Sequence, residues 1–199
     1  MQSDNYFKKR LTYSYKKHQF LFDVGHTIFS AFQIDEGTQL LLRTLESAAE
    51  ALVPQQILDL GCGCGVLGIS LAHSFPKAHV TLIDKDLLAV RYAKQNCLLN
   101  ATLNTEVCAS IGLEAAPSGP FELIVSNIPA KIGDLAIEQE FILAPYARLR
   151  PGGAFWFVVV SSLNHLIPNI GTKWQLKLKA IKKRAGHTVY RLSKPLESS

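Results

Sequence analysis

What the chain lacks narrows its class first. No apolar run approaches the ~18–20 residues that span a bilayer, and the longest, Ala154 to Val160, suits one buried strand. Met1 to Arg10 are polar and basic with no apolar stretch behind them, which predicts no secretory signal and a cytoplasmic location. Cysteine is scarce, and the four residues are badly spaced for a metal. Cys62 and Cys64 stand one residue apart, whereas ligand pairs are usually separated by about two to four. Cys97 and Cys108 make no second pair, and no histidine cluster accompanies them. The thiols read as small, reduced, apolar residues, and no metal is expected. Internal repeats and low-complexity tracts are missing too.

What remains is an ordinary globular composition. At 199 residues, 48% hydrophobic and 19% charged, the chain can bury one sizeable core. The net charge is +5, and the cations gather towards the ends. Lys8, Lys9, Arg10, Lys16 and Lys17 lie near the start; Lys173, Lys177, Lys179, Lys182, Lys183 and Arg184 lie near the end. Such clusters suit either a polyphosphate backbone or a solvated face.

The patterning alternates. Two short strands, near Leu11–Tyr15 and Gln19–Phe22, open the chain, so residues 1–22 read as an extension able to form a β-hairpin. Residues 23–199 read as one domain. Asp35 to Ala51 is a helix with Asp35 as its N-cap and Leu40, Leu41, Leu45 and Ala48 on one face. Strands follow at Gln56–Leu60, His79–Ile83, Thr105–Cys108, Glu122–Ser126 and Ala154–Val160. Helices are expected at Gly65–Ser74, Leu87–Asn100 and over most of Gly133–Leu149. Gln175–Lys182 and His187–Leu192 close the chain as an antiparallel pair. The fold class is therefore α/β: a Rossmann-like three-layer sandwich around a mostly parallel sheet of about seven strands, the last antiparallel.

The strongest chemical signal is Ile57-Leu-Asp59-Leu-Gly61-Cys62-Gly63-Cys-Gly65-Val66. A buried strand runs into a glycine-rich turn that opens a helix, where backbone amides can approach a ligand closely. Asp59 at the entrance suits an ammonium group and opposes a pyrophosphate. Asp84 ends the next strand, where an acidic residue takes ribose hydroxyls. That spacing fits a dinucleotide and S-adenosylmethionine equally, and a helix cap is the plain alternative, a role open also to Asp86. The fourth strand ends in Ser126-Asn127-Ile128-Pro129-Ala130. An Asn carboxamide and the Ile128 carbonyl can accept from an exocyclic amine, and Pro129 holds Ile128 extended. A strand-ending turn is the alternative there.

In this order, Asp59-x-Gly61-x-Gly63-x-Gly65, Asp84, Asn127-Ile-Pro129 and Pro151-Gly-Gly153 resemble class I S-adenosyl-L-methionine-dependent methyltransferases. Phe29-Ser30, Asp35-x-Gly37-Thr38 and Gly186-His187-x-Val-Tyr190-Arg191 narrow the resemblance to the methyltransferase small-domain family, which includes the catalytic half of ribosomal RNA guanine-N2 methyltransferases. It covers roughly Phe22 to Leu192. The resemblance implies an enzyme that uses S-adenosyl-L-methionine. Asp59, Gly61, Cys62 and Gly63 would border its methionine portion, and Asp84 and Lys85 its ribose. Ala109 and Ser110 would lie near the adenine, while Phe29, Ser30, Gly37 and Thr38 fold over the methionine end. Asn127, Ile128 and Pro129 would form the catalytic motif, with Asn127 also bordering the cofactor. RNA, ribosomal RNA included, is the implied partner, gripped by the basic ends; no membrane is implied.

The chain departs from the family motif at one point. The usual Asn-Pro-Pro-aromatic here reads Asn127-Ile128-Pro129-Ala130. Stacking on an aromatic is worth ~1–3 kcal/mol per base and would have to come from elsewhere, with Phe29, Phe32 and Tyr146 as candidates. The rival readings are a methyltransferase of a small molecule or protein side chain, and a non-catalytic partner subunit. A dinucleotide oxidoreductase is opposed by Asp59 and the asparagine motif.

Overall fold

The computed structural model describes residues 4–26, 33–48 and 53–196. Two antiparallel strands come first, β1 (Phe7–Tyr15) and β2 (His18–Gly25). Tyr13 and Tyr15 fall at every second position of β1, and Phe20, Phe22 and Val24 at every second position of β2. This period of two puts one face of the hairpin into the core, where all five are buried. The hairpin neither extends the main sheet nor stands free. Asn96 and Asn100, one turn apart on helix α3 (Leu87–Leu99) and its cap, pair with its backbone as a neighbouring strand would. Asn96 Oδ1 accepts from Asp23 N at 2.8 Å, its Nδ2 donates to Asp23 O at 3.0 Å, and Asn100 bonds both polar groups of Leu21.

Helix α1 (Glu36–Ala48) starts where Asp35 Oδ2 accepts from Thr38 N at 3.0 Å, the side-chain cap expected of an aspartate there. Its expected continuation to Ala51 lies outside the described residues. Then come β3 (Gln56–Leu60), α2 (Val66–Ser74), β4 (His79–Asp84), α3, β5 (Thr105–Ala109) and β6 (Phe121–Asn127). A helical stretch follows in three parts: α4 (Asp134–Ala136), a π-helical segment over Ile137–Leu143, and α5 (Ala144–Arg148). Strand β7 (Leu149–Val160), a short 3₁₀ turn, α6 (Leu166–Lys173), β8 (Lys177–Arg184) and β9 (His187–Ser193) complete the chain.

The main sheet has seven strands in the order β5-β4-β3-β6-β7-β9-β8. The first five are mutually parallel; β9 runs antiparallel between β7 and β8. The expected α/β class, mostly parallel sheet and antiparallel final strand are all present. Two details differ. Helix α6 falls in a stretch without a helical expectation, because Pro168 and Gly171 disguise it; Pro168 sits in the first turn, where a missing N–H costs nothing. The strand expected at Gln175–Lys182 begins instead at Lys177, since Gln175 turns at φ 51.

Two apolar layers sandwich the sheet. One holds the hairpin, α1, α2 and the Trp156 side of β7; the other holds the helical stretch, α6 and the Phe155–Phe157 side. The strand order reverses between β3 and β6, so their carboxyl ends open a crevice, the place where such sheets bind ligands.

Candidate functional site

The crevice is framed by the glycine turn after β3, the end of β4 and the end of β6. Gly61, Gly63 and Gly65 take φ values of 71°, 55° and 91°, a left-handed region costly for other residues. Gly61 N and Cys62 N each donate to Ile83 O at 2.9 Å, pinning the turn over the end of β4. Cys62 and Cys64 are buried; burial pushes the Cys64 thiol up to about 12. Both behave as the apolar fillers expected. Among the described residues no three His, Cys, Asp or Glu side chains gather as a metal site would require.

Asp59 lies beneath this turn, fully buried. Its Oδ2 accepts from Gly68 N at 2.8 Å, while Oδ1 has no partner. Burial first, and the nearby Asp84 charge besides, raise its pKa to about 7 against the opposing Gly68 hydrogen bond. Gly68 permits this closeness. A Cβ there would stand 2.6 Å from Leu82 and 3.0 Å from Asp59 Oδ2, a constraint invisible in the sequence pattern.

Asp84 closes one side of the crevice. Its Oδ2 accepts from Gly63 N at 2.8 Å and its Oδ1 from Asp86 N at 3.0 Å. The N-cap of α3 is Asp86, accepting from Leu88 N at 2.8 Å, so Asp84 is not the cap. Lys85 is exposed beside it. Ala109 pairs with Asp84 across the sheet and is exposed, and Ser110 N donates to Asp84 O at 2.9 Å. The Ser110 hydroxyl is committed to its own loop, donating to Gly112 O and accepting from Ala115 N, each at 3.0 Å.

Opposite stands Asn127. Its Nδ2 donates to Asp35 Oδ2 at 2.6 Å and to Thr38 Oγ1 at 3.0 Å, tying the end of β6 to the start of α1. Asp35 Oδ2 also accepts from Thr38 N, so the Asn127 amide must turn its nitrogen towards it. Both amide hydrogens are thereby used and Oδ1 is left as an acceptor. A Cβ on Gly37 would lie 2.9 Å from both Asp35 Oδ2 and His187 Cδ2, so only glycine lets these groups converge. His187 Nδ1 lies 2.8 Å from the Ala185 carbonyl, which fixes the ring beside α1. Ile128 is buried, its N donating to Val158 O at 3.0 Å, and Pro129 is exposed.

The structure thus brings Gly37, Thr38, Asp59, Gly61, Cys62, Gly63, Asp84, Ala109, Ser110, Asn127 and Ile128 to one end of the sheet. Phe29, Ser30 and Phe32 lie outside the described residues. Tyr146 does not replace the missing aromatic. Lys194 Nζ lies 5.7 Å from its ring and bonds Leu149 O, at the amino end of β7 and far from Asn127. Sequence reasoning missed two groups. Asp35 reads as a cap, and only the fold shows it also bonding Asn127. The Phe141 ring, on the π-helical turn, comes within 3.7 Å of where a Gly61 Cβ would stand; its sequence signal was only an apolar residue in a helix.

The chain is similar to known proteins. The family description "methyltransferase small domain" matches residues 19–191. The chain is 37% identical to the ribosomal RNA small subunit methyltransferase C of Hahella chejuensis over 134 residues, 66% of this chain and 37% of that one. To its namesake from Pseudomonas entomophila it is 35% identical over 141 residues, 69% of this chain and 41% of that one. Among solved structures, the T. thermophilus 16S rRNA N2 guanine methyltransferase in complex with AdoMet and guanosine superposes with a TM-score of 0.80 at 28% identity, covering 94% of this chain and 50% of that one. The chain therefore spans about two fifths of the length of the curated relatives it matches.

Proposed function

The chain belongs to the methyltransferase small-domain family, and from that premise we propose that it transfers a methyl group from S-adenosyl-L-methionine to an exocyclic amine of a base in RNA, guanine N2 of ribosomal RNA foremost. The observation that carries this reading is the committed amide of Asn127. With Nδ2 spent on Asp35 and Thr38, its Oδ1 is left as an acceptor, which suits an N–H of the target and a nitrogen gaining positive charge.

The residues fit the cofactor. A Cβ on Gly63 would meet nothing within 4 Å, so the turn's backbone stands open to a ligand, and the orphaned Oδ1 of Asp59 matches an ammonium hydrogen. Asp84, already holding the turn through Gly63 N, is placed for ribose hydroxyls at the strand end. Cys62, Gly61 and Phe141 would border the methionine end, Gly37 and Thr38 would stand across from them, and Lys85, Ala109 and Ser110 would flank the nucleoside. Phe29 and Ser30 are proposed to cover the methionine end, as the family resemblance implies.

Bound S-adenosyl-L-methionine supplies an electrophilic methyl on a sulfonium that leaves readily. The protein's contribution is alignment and exclusion of water. Asn127 Oδ1 and the Ile128 carbonyl hold the amine so that its lone pair points along the line of transfer. With the methyl donor bound, Asn127 Oδ1 would take part of the positive charge that the amine nitrogen gains. The nitrogen then releases one proton to solvent, so no strong base is required before attack. Pro129 keeps Ile128 extended.

Residues 1–22 are proposed as an accessory to a domain formed by 23–199. The names of the relatives support an RNA partner, and a cytoplasmic location agrees with such a partner. Among the described residues no helix is long and apolar enough to cross a membrane. A second reading rests on Ala130, which offers no ring for a base: methylation of a small molecule or protein side chain. Calorimetric titration of the chain with S-adenosyl-L-methionine, on wild type and Asp84→Ala, tests the pocket. Transfer of labelled methyl to ribosomal RNA, followed by nucleoside analysis, tests the substrate. No binding by the intact chain overturns the methyltransferase reading; binding without transfer to RNA moves the weight to the second.

A further inference from the structure

The free edge of the sheet is strongly basic, and a fault in its pairing decides where the charge points. Strand β8 reads Lys177-Leu-Lys-Ala-Ile-Lys-Lys-Arg184. Ala180 pairs with Tyr190 and Lys182 with Val189, so Ile181 is an extra residue, a β-bulge. Residues opposite each other across a sheet share a face. Before the bulge, Leu178 pairs with Leu192 and packs on the α6 side, while Lys177 and Lys179 face α1. In unbroken alternation Lys182 and Arg184 would follow Leu178 to the α6 side. The bulge reverses the parity: Lys182 pairs with Val189 and Arg184 with His187, on the α1 side. Four cations, Lys177, Lys179, Lys182 and Arg184, thereby share one face, and Lys183 alone turns away.

This face borders a groove of about 660 Å³ between α1 and the sheet edge, to which Arg43, Lys182 and Arg184 contribute the cations and Glu36 the single acidic group. Trp156 forms its floor, with the Arg191 guanidinium 5.6 Å from the ring centroid. Arg43, Lys182 and Arg184 make no ion pair with any described residue. At one end the groove reaches Glu36 and Ala185. Glu36 adjoins Asp35, which with Thr38 holds Asn127, and the Ala185 carbonyl lies 2.8 Å from Nδ1 of His187, which packs beside Gly37. Protection of a sheet edge against aggregation needs charge on the edge; it does not need that charge collected on one face and led to the catalytic motif.

We infer that this groove binds the phosphodiester backbone of single-stranded RNA flanking the target nucleotide, the end at Glu36 delivering the base to Asn127. The inference rests on the RNA reading above. Cations that pair with no acidic group among the described residues suit phosphates, each neutralised charge releasing counterions.

The test measures binding of a fluorescein-labelled single-stranded RNA of mixed sequence across a salt series, by anisotropy, with the full chain. The groove double variant Lys182→Ala/Arg184→Ala is compared with Lys77→Ala/Lys94→Ala, which removes the same charge from exposed positions elsewhere. The groove variant should bind about tenfold more weakly at low salt, and its log–log salt slope should be shallower by roughly 1.4, about 0.7 for each lost contact on a single strand. The control should stay within about twofold of wild type. S-adenosyl-L-methionine binding, unchanged in both, reports that the fold is intact. Equal weakening of both variants, or of neither, overturns the groove while leaving the RNA reading in place. Wild type that binds S-adenosyl-L-methionine but no RNA overturns both together.

Discussion

The buried carboxyl of Asp59 makes a stability prediction that depends on pH. Its pKa rises from 3.8 to about 7 on folding, chiefly because burial disfavours the charged form. Each unit corresponds to about 1.4 kcal/mol, so the full rise amounts to about 4 kcal/mol. The sign follows from proton binding. Between pH 3.8 and about 7 the folded state holds a proton that the unfolded state releases, so this group's contribution is fully favourable below the lower value. It is lost as pH rises and stays lost above the upper one. Asp59→Asn cannot titrate. Its amide carries a constant cost for any hydrogen left unbonded, about 1–3 kcal/mol, and that cost does not change with pH. Urea unfolding of both proteins at several pH values gives the difference in stability, in which titrating groups remote from Asp59 cancel. The variant should gain on wild type by about 4 kcal/mol between the two limits and then level off. Added S-adenosyl-L-methionine should lessen that gain, because an ammonium beside Oδ1 favours the carboxylate. A difference that stays flat with pH would refute the reasoning, since Asp59 would then ionise as an exposed carboxyl does.

Three further outcomes are expected. Asp35→Ser retains a helix cap but is too short to reach Asn127; it should lower kcat for methyl transfer by about tenfold to a hundredfold with S-adenosyl-L-methionine affinity unchanged, as measured by calorimetry. Gly68→Ala drives a Cβ to 2.6 Å from Leu82 and should cost about 1–3 kcal/mol of stability, read from the urea midpoint. Asn96→Ala removes the side chain that bonds Asp23 N, Asp23 O and Cys64 O; a loss of about 3 kcal/mol and faster hydrogen exchange in β2 than in β3 are the expected signs.

Much of the architecture is legible in the linear pattern because it rests on local periodicity. The runs Ile57–Leu60, Val80–Ile83 and Phe155–Val159 are buried strands of a parallel sheet, and such strands read as predominantly apolar stretches, here interrupted only by Asp59 and Thr81. Glycines bunched after Asp59 mark the turn because left-handed backbone leaves few other choices. Where local signals were weak, the reading fell short: Pro168 and Gly171 hid α6, and the positive φ of Gln175 moved the start of β8.

The sequence by itself determined the strands, the glycine turn, the acidic residues at the ends of β3 and β4, and the asparagine motif that carries the family likeness. Only the tertiary structure decided which of those residues act together. Asp35 and Asn127 are 92 positions apart and meet at 2.6 Å because α1, packed on β7 and β9, starts beside the carboxyl end of β6. Asp59 became a buried, half-satisfied carboxyl because Gly68 lets α2 close over it. The basic edge acquired a direction because one unpaired residue, Ile181, reversed which face Lys182 and Arg184 present. Periodicity is encoded between neighbours in the chain, whereas contact, burial and strand register depend on neighbours in space.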